Sequence, residues 1–276
     1  MLRADYNRPG AAQSVFALIT GFDHIPLLGW LAIGAVIAVA GFMQGSLGLG
    51  FPTIATPLIA LWLGMPQAIV LILLPCLAAV ILNVILGPPL RELLRQFWFM
   101  PLGMLVGAAI GGLIFVAAPD APYSLVLALV ILLWLALDRL GFGESPAVRR
   151  HPMAFGLTAS VVGGACEATA NVAAAPLVMY YSALGLAPAA FVQGLNLCFV
   201  VGKLTQFGVL AASGMVGAAL WVATLPLVLV AVAAALAGVR VRDRLDAQTY
   251  RRWVKGFLLF IALALLAQYG WRALAA

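Results

Sequence analysis

The chain is apolar over long unbroken stretches. From His24 to Leu90 no Asp, Glu, Lys or Arg occurs. The apolar segments are Leu28–Leu63, Gln67–Leu86, Phe97–Ala118, Ala121–Leu137, Pro152–Leu184, Ala187–Ala212, Val216–Val239 and Trp253–Trp271. About 20 apolar residues suffice for a helix to cross a bilayer, so the pattern predicts an all-α integral membrane protein. Turn residues separate the segments: Gly64-Met65-Pro66, Gly87-Pro88-Pro89, Pro119 to Pro122, Gly185 to Pro188, and Ser213-Gly214.

Two segments are too long for one span. As a single helix Leu28–Leu63 would measure about 54 Å, nearly twice the hydrocarbon thickness. Its centre, Gly41 to Thr53, is rich in glycine and holds Gln44 and Ser46; the centre of Pro152–Leu184 reads Gly163-Gly164-Ala165-Cys166-Glu167-Ala168-Thr169-Ala170-Asn171. Similar phrases follow, Thr56-Pro57-Leu58 against Ala175-Pro176-Leu177. The chain therefore reads as an N-terminal tail (1–27), a membrane repeat (28–138), a cytoplasmic linker (139–151) and a second membrane repeat (152–276). The start shows no convincing signal peptide, since the run Val15–Ile19 is short and has no clear cleavage site.

Composition agrees. Of 276 residues 65% are hydrophobic and 9% charged, against about 25% charged in soluble domains. The net charge of +6 does not indicate nucleic acid, because the cations sit in short loops. Positions 88–96, 138–151 and 240–255 hold 2, 3 and 6 of the 15 Lys and Arg, which marks those loops as cytoplasmic. Three full crossings between 152 and 239 would put two of these loops on opposite sides. The conflict vanishes if Pro152–Leu184 and Leu28–Leu63 are re-entrant hairpins, each arm about 13 residues or about 20 Å long. Each repeat is then a broken hairpin plus three transmembrane helices, with the second repeat inverted. Eight simple spans are the alternative.

The chemistry concentrates at the two broken centres. Irregular backbone at membrane depth must be buried in protein or line a polar cavity, and paired breaks point to a binding site. Helix starts there would favour an anion. The candidate substrate contacts are Gln44, Ser46, Gly48, Gly50, Thr53, Asn83, Thr169, Asn171, Asn196, Lys203 and Gln206. Lys203 is the counter-charge to an anionic substrate. Glu167 is the proton-carrying group, or else only the partner of Lys203. Asn83 stands near the place in repeat 1 that matches Lys203. The glycines also admit a plainer reading as close-packing sites. Cys76, Cys166 and Cys198 read as small core residues, and His24 and His151, at segment edges, suggest no metal. No nucleophile–base pair or Walker motif appears. No cofactor is expected beyond a coupling proton. The partners are a small anion and the lipid bilayer, with a homodimer compatible with the pattern. An intramembrane enzyme is a second reading and a membrane scaffold a third.

The stretch Gly41-Phe42-Met43-Gln44-Gly45-Ser46-Leu47-Gly48-Leu49-Gly50, followed by Pro57-Leu58, resembles the signature of the TauE/SafE sulfite exporter family of anion permeases, and the doubled layout and size are similar over nearly the whole chain. The resemblance implies a secondary transporter of small anions in the bacterial inner membrane, often of sulfite, sulfoacetate or other organosulfonates. The sequence departs from the pattern at Phe51-Pro52 and at Cys166 to Thr169, where further glycines are usual. An acid at that place suits a sulfonate or carboxylate carried with a proton better than sulfite alone.

Overall fold

The computed structural model describes residues 25–118, 121, 146–171, 173–216 and 218–242, with isolated helical positions between 125 and 136 and between 249 and 270. The expected tail before Ile25, the span Ala121–Leu137, most of the linker and the final span Trp253–Trp271 lie largely or wholly outside the described residues. Among those described, ten helices occur: α1 Leu27–Leu47, α2 Phe51–Leu63, α3 Met65–Leu86, α4 Leu90–Phe97, α5 Phe99–Ala117, α6 Pro146–Arg150, α7 Pro152–Ala170, α8 Ala174–Ala183, α9 Pro188–Ala212 and α10 Ala218–Arg242. Prolines at the first positions start α2, α3, α7 and α9, where a missing N–H costs nothing.

Among the described residues, five helices are long and apolar enough to cross a membrane: α1, α3, α5, α9 and the Thr224–Arg242 portion of α10. Their side chains are arranged inside out relative to a soluble bundle. On α5 the buried line is Gly103, Gly107 and Gly111, while Leu102, Leu105, Ile110 and Leu113 are exposed. Leu229 on α10 is 72% exposed. Apolar surface on that scale has no place in water but suits hydrocarbon, and the chain is a multi-pass membrane protein.

Small residues set the tightest contacts. A Cβ added at Gly45 would lie 2.0 Å from the Ala235 carbonyl oxygen, and one at Gly41 would lie 2.7 Å from that of Ala231. Residue numbers rise together on the two helices, so α1 and α10 run parallel. The same holds for α5 and α7: Gly107 meets Val161 and Gly111 meets Ala165. Four-residue spacing of small side chains lets backbones approach in lipid, where no hydrophobic force pulls helices together.

Two apolar cores result. One is built mainly from α1, α2, α3 and α10, with Ile37, Ile59, Ile72 and Ala231; the other from α4, α5, α7, α8 and α9, with Phe97, Met104, Leu177 and Leu195. One end of the bundle gathers the cations. There Gln193, near the start of α9, donates to the carbonyls of Val84 in the last turn of α3 and of Pro88 just after it. Arg149 Nε donates to the Ala183 carbonyl at 3.4 Å, joining α6 to the end of α8. Arg242, at the end of α10, donates to Asn83 Oδ1 at 3.4 Å.

Two expectations need correction. Residues 88–96 are not simply a loop, since Leu90–Phe97 is helical. Leu90, Leu93 and Phe97 fall on one helical face with Arg91, Glu92 and Arg95 away from it, and Leu93 and Phe97 are buried, an amphipathic pattern. The arms around the breaks are also unequal: 21 and 13 residues for α1 and α2, 19 and 10 for α7 and α8. Gly41, Gly45 and Gly164 stay helical with a partner backbone fitted against them, and Gly163 stays helical against the Leu177 side chain. The helices stop only at Gly48 (φ 72°) and Asn171 (φ 60°), both left-handed, a conformation that Gly and Asn tolerate best.

Gly45→Ala is therefore expected to force α1 from α10 and to destabilise the protein by about 1–3 kcal/mol, as overpacking does. Gly34→Ala, which would meet nothing within 4 Å, is the control and should leave stability equal or slightly raised. Thermal unfolding in detergent measures both.

Candidate functional site

The two breaks lie side by side between the cores. At the first, Gln44 is buried and fully engaged. Its Oε1 accepts the Phe51 N–H that opens α2 at 3.1 Å, and its Nε2 donates to Gly48 O at 3.1 Å and Asn196 Oδ1 at 2.9 Å. Asn83 Nδ2 donates to the Gln44 carbonyl at 2.8 Å, and Asn196 Nδ2 donates to Gly48 O at 2.9 Å. Side chains from α3 and α9 thus replace the hydrogen bonds that the broken helix gives up.

The second break repeats this scheme with charge. Glu167 Oε2 accepts the Ala173 N–H just before α8 at 3.0 Å. Gln206 Nε2 donates to the Glu167 carbonyl at 3.3 Å. Glu167 Oε1 lies 2.6 Å from Lys203 Nζ, and both side chains are nearly inaccessible. Lys203 also donates to Gln206 Oε1 at 2.9 Å and to Asn171 Oδ1. Asn171 Nδ2 in turn donates to Thr56 Oγ1 on α2 at 2.8 Å, which ties the two breaks together.

One sequence offset relates Gln44 to Glu167, Gly48 to Asn171 and Asn83 to Gln206. By that register Val80, and not Asn83, occupies the place matching Lys203. Asn83 instead does the work of Gln206: each donates to the carbonyl four residues before the left-handed stop.

A cavity of about 10 Å³ lies between the breaks, walled by Gln44, Gly50 and Thr53 on one side, Glu167 and Ala173 on the other, and Cys76 and Phe199 from α3 and α9. That is room for about one water molecule, so the site is closed around its own polar groups. Of the candidates read from the sequence, Gln44, Gly48, Gly50, Thr53, Asn83, Glu167, Asn171, Asn196, Lys203 and Gln206 border the cavity or the hydrogen-bond network around the breaks. Ser46 and Thr169 do not join that network through their hydroxyls. Ser46 Oγ donates to Met43 O at 3.3 Å and Thr169 Oγ1 to Ala165 O at 2.7 Å, each within its own helix. Thr56, Cys76 and Phe199 are additions. Thr56 stands one turn after Thr53, Cys76 two turns before Asn83 and Phe199 one turn before Lys203, so helical spacing from the polar positions would have found them. Among the described residues no His, Cys, Asp and Glu cluster could hold a metal.

The fold and its centre define a multi-pass membrane protein built around a buried polar seam. Residues 33–265 match the family model described as Sulfite exporter TauE/SafE, and the chain belongs to that family. No curated protein and no solved structure matches it significantly.

The ion pair makes a stability prediction. Removing one member strands the other charge, at about 3–5 kcal/mol, whereas replacing both by apolar residues can be near neutral. Lys203→Met and Glu167→Met should each lower the melting temperature clearly, and the double variant should recover most of the loss. Additive losses in that cycle would show that the two side chains do not act as a pair.

Proposed function

We propose that the protein is a secondary transporter for a small singly or doubly functional anion, such as sulfite, sulfoacetate or another sulfonate or carboxylate, with its binding site between the two breaks. The observation that carries this reading is Lys203: a buried cation, deep inside a membrane-length helix, facing two interrupted helices. A charge at that depth costs about 2.5–3.5 kcal/mol on insertion scales, and such residues mark substrate and ion pathways. Family membership supports transport over catalysis, and sulfur oxyanions as the cargo.

The matched hydrogen bonds at Gln44 and Glu167 favour two related halves. So does the packing, in which α1 joins α10 while α7 joins α5. With the basic end toward the cytoplasm, α1–α2 enters and leaves from outside and α7–α8 from inside, so that the halves are inverted. The membrane is then the bacterial inner membrane. Glu167, the only buried carboxylate among the described residues, is the group through which a proton gradient drives the cargo.

Proteoliposomes test this directly. Wild type is expected to move labelled sulfite or a short sulfonate across the bilayer, and faster with an imposed proton gradient. Lys203→Ala should lower flux at least tenfold while still inserting as a monodisperse protein. Undiminished flux through that variant would remove Lys203 from the pathway. Absence of flux in wild type across sulfite, sulfonates and small carboxylates would overturn the transport reading.

A further inference from the structure

Lys203 and the start of α8 already hold an anion, and it belongs to the chain. The Glu167 carboxylate spans both: one oxygen takes the Ala173 N–H at 3.0 Å and the other lies 2.6 Å from Lys203 Nζ. These are the contacts that an oxyanion cargo would make, since a helix start and a cation form a ready anion site. At the matching place on α2 the Phe51 N–H is met by Gln44, an uncharged amide. The substitution of acid for amide therefore adds one negative charge at the position opposite the one buried cation among the described residues.

The charge count is closed. Facing Glu167 are Lys203 and Gln206 from α9, the Cys76 thiol across the cavity from α3, Gln44 from α1 and the backbone of α8. Cys166 adjoins it on its own helix. Lys203 is the single cation among these, and Glu167 neutralises it. A second anion arriving while Glu167 stayed ionised would leave a net negative charge in a site with room for about one water, between side chains that are nearly inaccessible. Like charges at close range in such a medium repel strongly. Protonation of Glu167 and its departure from Lys203 remove the conflict.

We propose that Glu167 is a tethered stand-in for the cargo: a singly charged oxyanion head replaces its carboxylate on Lys203 Nζ and the Ala173 N–H, and one proton is taken up by Glu167 for each anion bound. The step balances, since the carboxylate gains a proton from solution and no covalent bond forms with the cargo. It also sets the specificity. One cation, freed by one protonation, matches a head group of charge −1 and not a dianion. The proposal rests on the transporter reading given above and assigns the coupling to direct competition for one place.

Chemical rescue tests it without requiring flux. Glu167→Ala vacates the carboxylate and leaves Lys203 unpaired. Formate should raise the melting temperature of that variant in a saturable way, by several degrees more than it raises wild type near neutral pH. Sulfate at equal ionic strength should not, and the Glu167→Ala/Lys203→Ala double variant should not respond to formate. A formate response no larger than that of wild type would overturn the proposal, and equal rescue by sulfate would overturn its charge rule. If Glu167→Ala does not fold, calorimetry on wild type decides instead. Methanesulfonate binding, compared in buffers of different ionisation enthalpy, should take up one proton per anion and, wherever it does so, strengthen about tenfold for each unit fall in pH. Binding without proton uptake would sink the competition while leaving the carrier intact. Rescue without any sulfonate or sulfite flux in proteoliposomes would instead sink the carrier reading alone.

Discussion

Every backbone N–H and C=O buried in a membrane protein must find a partner inside the protein, because lipid offers none. Two interrupted helices violate the easiest solution to that demand. The structure meets it with side chains: Gln44 and Glu167 accept from the starts of the following helices, and Asn83 and Gln206 donate to the carbonyls of Gln44 and Glu167 one turn before the stops, the first of which also accepts the Gly48 N–H. The rest of the architecture follows from keeping those bonds dry. Glycine and alanine faces bring α10 onto α1 and α7 onto α5 at backbone contact, while residues such as Leu102, Leu113 and Leu229 on the opposite faces are turned outward.

The two breaks solve the same structural problem at different electrostatic cost. The first uses the neutral side chains Gln44, Asn83 and Asn196, with Arg242 donating to Asn83 from the end of α10. The second places Glu167 and Lys203 at a depth where each charge must be desolvated. A buried ion pair is weak evidence for stability, since apolar or neutral replacements often do as well. The first break shows that this fold can be held without one. The charged pair is thus better explained by what it can exchange than by what it holds together.

Much of this was legible in the sequence, and the misses have physical causes. Polar residues among glycines located both broken centres, and charge placement in the loops separated the two ends of the bundle. The exact stops were less visible. Gly41 and Gly45 look like helix breakers in isolation, yet a neighbouring backbone at contact distance keeps them helical, which only tertiary structure reveals. Gly48 and Asn171 differ in being left-handed. Ser46 and Thr169 looked equivalent to Gln44 and Glu167, but a short hydroxyl reaches its own helix first. Arg91, Glu92 and Arg95 drew attention away from the apolar positions of α4 between them. The match of Asn83 to Lys203 missed by one turn because polarity suggested it, whereas register places Val80 there.

The packing also constrains how the closed cavity can open. The tightest helix pairs, α1 with α10 and α5 with α7, each join an early part of the chain to a late one, and their backbones are in contact. Neither pair can separate without exposing apolar and backbone surface that lipid or water would have to fill. Hydrogen bonds cross between the two cores at Gln44–Asn196, Thr56–Asn171 and Gln193–Val84. Such bonds can be exchanged for bonds to water or to an entering anion at small net cost. The hydrogen bonds that join the two apolar cores are consequently cheaper to exchange than the backbone contacts inside either tight helix pair.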